Sequence, residues 1–101
     1  MFMSEMERAA EGKRSALRRF PSKAREIEEL TRQSENFRDM CEELAEAEAA
    51  LLAAKDAPAG VRNERIAEST GWIDRLSAEI AAALGRANVI PLDRAKPPNE
   101  C

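Results

Sequence analysis

Five carboxylates fall within ten residues at Asp39, Glu42, Glu43, Glu46 and Glu48. Carboxylate oxygens are the ligands of hard cations, so the run invites a metal reading first. A helical di-metal site would also need Glu-x-x-His companions, and the 101 residues contain no histidine. No EF-hand spacing is present either. The run is therefore expected to be a solvated helix face, with no metal and no cofactor. The missing histidines also remove the usual general base, so no serine, threonine or cysteine has an imidazole to activate it. No glycine-rich phosphate loop occurs. Catalysis is not expected.

Two cysteines, Cys41 and Cys101, do not make a disulfide framework. Cys41 falls among apolar neighbours and reads as a small buried hydrophobe, while Cys101 reads as a free thiol on the last residue. Met1-Phe2-Met3-Ser4-Glu5 runs into charge rather than an apolar stretch, so no signal peptide is read. No segment has membrane-spanning length. A reducing, cytoplasmic setting follows as the expectation. Met3 and Met6 leave room for a later natural start.

The second chemically suggestive run is basic. Arg8, Lys13, Arg14, Arg18, Arg19, Lys23 and Arg25 lie within eighteen residues, whereas residues 26–56 hold ten acidic and three basic side chains. Such a segment can hold nucleic acid by displacing counterions. It can also sit on an anionic membrane, with Met3, Met6, Leu17 and Phe20 inserting shallowly. The preferred reading is a solubilising arm, or one that docks on the acidic helix of its own or a neighbouring chain. The rest of the chain is acidic and would repel a polyanion.

Positioning any of these residues falls to helices. Charged residues are 35% of the chain, and Ala, Glu, Arg and Leu dominate, a composition of long helices. Leu30, Phe37, Leu44 and Leu51 recur every seven residues, interleaved with Ile27, Ser34, Cys41 and Glu48. Ile66, Ile73 and Ile80 recur likewise, interleaved with Ser69, Leu76 and Ala83. Asp56-Ala57-Pro58-Ala59-Gly60 separates the two ladders and stops a helix. An antiparallel hairpin pairs positions whose numbers add to 117. Leu51 then meets Ile66, Leu44 meets Ile73, Phe37 meets Ile80, Cys41 meets Leu76 and Ile27 meets Ile90. Glu48 and Ser69 would form a polar layer that holds register.

The boundaries read as follows. Residues 1–21 are a basic extension, partly helical or flexible, with Gly12 against a helix and Pro21 closing it. Residues 22–90 form the hairpin, with helices over about 22–55 (Ser22 as N-cap) and 61–87. Gly85, Asn88 and Pro91 end the second helix, and residues 91–101 form a disordered tail. The fold class is all-α: an antiparallel two-helix, coiled-coil-like hairpin with room for a short N-terminal helix.

About ten large apolar side chains on the seam do not amply offset the ordering of some sixty residues, at roughly 1.5 kcal/mol each. The hairpin needs a further surface to bury. Met40, Leu52, Trp72, Leu84, Ile90 and Leu92 lie off the seam and supply a candidate protein interface. Trp72 reads either as an anchor in a notch at Ala45 or as an interface hot spot. Gly71 beside it reads as a tolerated surface glycine, or as the close approach of a partner backbone. Completion by oligomerisation, most simply an antiparallel dimer, is expected.

The stretch Phe37-Arg38-Asp39-Met40-Cys41-Glu42-Glu43-Leu44, followed by a helix through Trp72 to Leu84, resembles short uncharacterised bacterial helical-hairpin proteins. The resemblance covers about Ile27–Leu84 and carries no assigned activity. The expected function is a non-enzymatic helical interaction or oligomerisation protein with a homo-oligomeric or helical partner and no small-molecule substrate. The alternative is a nucleic-acid-associated protein using the basic arm.

Overall fold

In the computed structural model, which describes the backbone of residues 4–95 and the side chains of residues 4–86, all regular structure is helical. Ser4 and Glu7 open helix α1 (Glu5–Arg19) with a reciprocal capping box. The Glu7 amide donates to Ser4 Oγ at 3.1 Å, and the Ser4 amide donates to Glu7 Oε1 at 3.0 Å. Two orphan N–H groups are thereby satisfied, and the N-terminal extension is helical over Glu5–Arg19. Gly12, read as a weakness in it, is buried at a helix crossing.

Pro21 ends α1, and residues Pro21–Lys23 form one 3₁₀ turn. Ser22 lies inside that turn and caps nothing. Helix α2 follows over Ala24–Gln33.

The expected continuous helix over 22–55 is broken at Ser34, which is extended (φ −126°, ψ 113°). The Phe37 amide donates to Ser34 Oγ at 3.0 Å, so Ser34 caps helix α3 (Glu35–Lys55). Across the break, Arg38 Nη1 donates to the Thr31 carbonyl at 2.7 Å and occupies an orphan acceptor at the end of α2. A serine on the heptad seam is thus a helix boundary.

The chain reverses through Asp56, Ala57 and Pro58. The Asp56 and Ala57 amides donate to the Ala53 and Ala54 carbonyls at 3.1 Å, and Arg62 Nε donates to the Ala57 carbonyl at 3.0 Å. Helix α4 (Ala59–Ala95) takes Gly60 into its first turn and continues past Gly85 and Pro91, beyond the end expected near Ala87. A proline removes one i→i−4 hydrogen bond and crowds the preceding turn, a cost the helical span nonetheless accommodates at Pro91. Of the tail expected at 91–101, residues 91–95 are helical, and 96–101 lie outside the described residues.

Helix α3 is the centre of the fold, packed by α1 on one side and α4 on another, with α2 against both α3 and α4. The two-helix account is therefore incomplete: four helices pack together. Ile27, Phe37, Cys41, Leu44, Ile73, Leu76, Ile80 and Leu84 form one buried cluster that includes Ala16 of α1. The molecule extends 61 × 28 × 20 Å, the long dimension following α4.

Candidate interaction surface

Glu48 is where the structure departs furthest from the ladder reading. Its side chain turns away from Ser69 and toward α1. Ser15 Oγ donates to Glu48 Oε1 at 2.9 Å, and Arg18 Nη2 donates to the same oxygen at 3.2 Å. Arg19 reaches Oε2 through Nη2 at 2.9 Å and Nε at 3.3 Å. Ser15 is fully buried and Glu48 partly so, so the clamp is shielded more than an ordinary surface pair. The Ser69 side chain, paired with Glu48 in the ladder, is buried without it.

The basic segment is mostly engaged within the chain. Besides Arg18 and Arg19, Lys13 Nζ lies 2.9 Å from Glu28 Oε1 and Arg14 Nη2 lies 2.6 Å from Glu11 Oε1. The Arg14 guanidinium beside Glu11 holds its carboxyl below the usual glutamate value. Arg8 borders a shallow groove with Glu11, Glu42, Ala45, Glu46 and Ala49. Lys23 lies in the 3₁₀ turn, and Arg25 is exposed at the start of α2. Three of these charges, Lys13, Arg18 and Arg19, thus fasten α1 to α2 and α3.

The acidic run does not converge either. Glu43 accepts the Trp72 indole N–H at 3.3 Å, Glu48 faces α1, and Asp39 and Glu46 are exposed. Among the described residues, no group of three or more carboxylate, thiol or imidazole side chains is placed to share a metal. Cys41 is 1% exposed, and burial, with Glu42 adding to it, pushes its thiol up to about 12. It is protonated near neutral pH, although Lys13, Arg32 and Arg38 line the same cleft. Cys101 lies outside the described residues.

The six residues expected to form one interface do not share a patch. Leu84 is 1% exposed and belongs to the core, because α2, turned at Ser34, packs on α4 there. Met40 is half-buried in a groove with Leu30, Phe37 and Ala83 at the start of α3. Leu52 stands 66% exposed at its other end. Trp72 is half-buried between them, held by Glu43 rather than over Ala45, which lines the α1 side. Ile90 and Leu92 lie on α4, their side chains outside the description.

What the structure does leave open is the tip of the α3–α4 pair. Helix α1 ends at Arg19, beside Glu48, and its last turns share only an open cleft with Leu51 and Leu52. There Leu51, Val61 and Ile66 are only half-buried, in contrast to the fully covered Leu44 and Ile80. A groove of about 510 Å³ runs between the helices at this end, floored by Ala50, Ala53 and Ala54 and rimmed by Glu64, Arg65 and Glu68. No helix among the described residues is long and apolar enough to cross a membrane. No protein-family model, no curated protein and no solved structure matches the chain.

Proposed function

We propose that this chain is a small, non-enzymatic helical interaction module: an α3–α4 hairpin, braced by α1 and α2, whose open tip is completed by a helix of another chain. One observation carries the reading. Burial along the same seam falls from complete at Leu44 and Ile80 to partial at Leu51 and Ile66, and Leu52 stands outside it altogether. An added helix seated there would remove apolar surface from water, at roughly 25 cal/mol per Å², with little ordering of the module itself. The absence of histidine and the protonated, buried Cys41 supply no nucleophile or base that favours catalysis.

The test compares the wild type with Leu52→Glu, an exposed position whose change leaves the core intact. Sedimentation equilibrium and affinity capture from lysate should show an association that the wild type makes and Leu52→Glu loses. A wild type that stays monomeric, and captures nothing that the variant fails to capture, overturns the reading.

A further inference from the structure

One flank of α4 carries Arg65, Glu68, Trp72, Arg75 and Glu79 at alternating steps of three and four, the spacing of a single helix stripe. The four charged residues are exposed, and Trp72 is half-buried in their midst. None of the four makes a side-chain hydrogen bond or ion pair among the described residues, unlike Lys13, Arg14, Arg18 and Arg19 of α1. Within the stripe Arg65 precedes Glu68 and Arg75 precedes Glu79, and this order is the weaker one for pairs along a helix.

The order of signs is what points to a partner. Read outward from Trp72, Arg65 and Glu79 lie seven residues away on either side, and Glu68 and Arg75, also of opposite sign, lie four and three residues away. Arg65 and Glu79, and Glu68 and Arg75, share a midpoint at Gly71–Trp72. Such a stripe repels a parallel copy of itself, because like charges would lie opposite. It complements an antiparallel copy, which places Arg65 against the second copy's Glu79, and Glu68 against its Arg75, twice over by symmetry. At the centre, a Cβ on Gly71 would meet nothing within 4 Å, so two α4 backbones can approach there beside the indoles.

We propose that two copies of this chain associate through α4 in antiparallel fashion, with Trp72 at the twofold axis and the four charge pairs setting the register. The inference rests on the reading of the chain as a helical interaction module and gives it a second surface, which shares Arg65 and Glu68 with the rim of the open tip. Tryptophan supplies the buried anchor, and the rim charges supply direction more than strength. The dimer weakens as salt rises, because the pairs are exposed.

Sedimentation equilibrium on the full chain tests this with a charge-swap cycle. Arg65→Glu and Glu79→Arg lie at exposed sites and should each leave helicity unchanged while raising the dimer Kd by about tenfold or more. The double variant restores opposite signs across the axis, and its Kd should return to within about threefold of the wild type. A wild type monomeric at millimolar concentration, single variants without effect, or a double variant that fails to recover would each overturn the antiparallel α4 dimer. An association that Leu52→Glu abolishes but Arg65→Glu leaves untouched overturns this inference alone and keeps the module reading.

Discussion

A methyl group placed on Gly12 would sit 2.7 Å from the backbone nitrogen of Glu42 and 2.8 Å from the carbonyl carbon of Cys41. Both neighbours are main chain of α3 and cannot rotate aside. Alanine at this site would gain about 1 kcal/mol in helix propensity but would force α1 off α3. Overpacking of this kind costs about 1–3 kcal/mol. Gly12→Ala is therefore expected to lower the urea midpoint. Gly85→Ala, where a Cβ meets nothing within 4 Å, should raise it slightly. A stabilised Gly12→Ala would contradict the close crossing.

The Glu48 clamp makes a graded prediction. Glu48→Ala leaves the buried Ser15 hydroxyl without its acceptor and two arginines without their carboxylate, a loss of about 1–3 kcal/mol. Glu48→Gln keeps an acceptor for Ser15 and should lose less. Amide exchange in α1 should speed up in the same order, ahead of exchange in the α3–α4 core. Equal exchange in all three proteins would remove Glu48 from the anchoring of α1.

Cys41 gives a pH dependence with a definite sign. The folded thiol is pushed from an ordinary 9.0 to about 12 by burial, so above pH 9 the unfolded chain releases its proton more readily than the folded one. The stability carried by the protonated thiol is complete below pH 9 and declines as pH rises toward 12. Chemical denaturation between pH 8 and 11 should show this decline, and Cys41→Ala should flatten it. Thiol reagents at pH 8 should label Cys41 at the rate of unfolding. Rapid labelling of the folded chain would show the site to be open.

Leu44 is fully buried at the middle of the core. Leu44→Asp would place an unpaired carboxylate there and is expected to cost more than about 4 kcal/mol, enough to abolish the helical circular dichroism of a small domain. The exposed Asp39→Ala should stay within about 0.5 kcal/mol of the wild type. An unchanged helical signal in Leu44→Asp would dissolve the core described above.

Much of the architecture was legible along the chain because it depends on neighbours three and four residues apart. The sevenfold recurrence of Phe37, Leu44, Ile73 and Ile80 marks buried faces wherever the helix packs, and the Asp56–Pro58 reversal marks a turn. The all-α class and the burial of Cys41 followed from that local order. The open tip at Leu51 and Ile66 did not, since the ladder treats its last layer like its first.

What only the tertiary structure decided is which third surface each face meets. Glu48, one heptad beyond Cys41, meets α1 because α1 crosses α3 against the Cys41 and Glu42 backbone and runs on beside it to Ser15 and Arg19. The single extended residue Ser34 folds α2 back over α4 and buries Leu84, which periodicity alone placed outside. Gly12 reads as a helix weakness until the backbone of α3 is seen against it. Spacing along one helix encodes a direction for each side chain, but the burial of that direction is settled by elements far away in the chain.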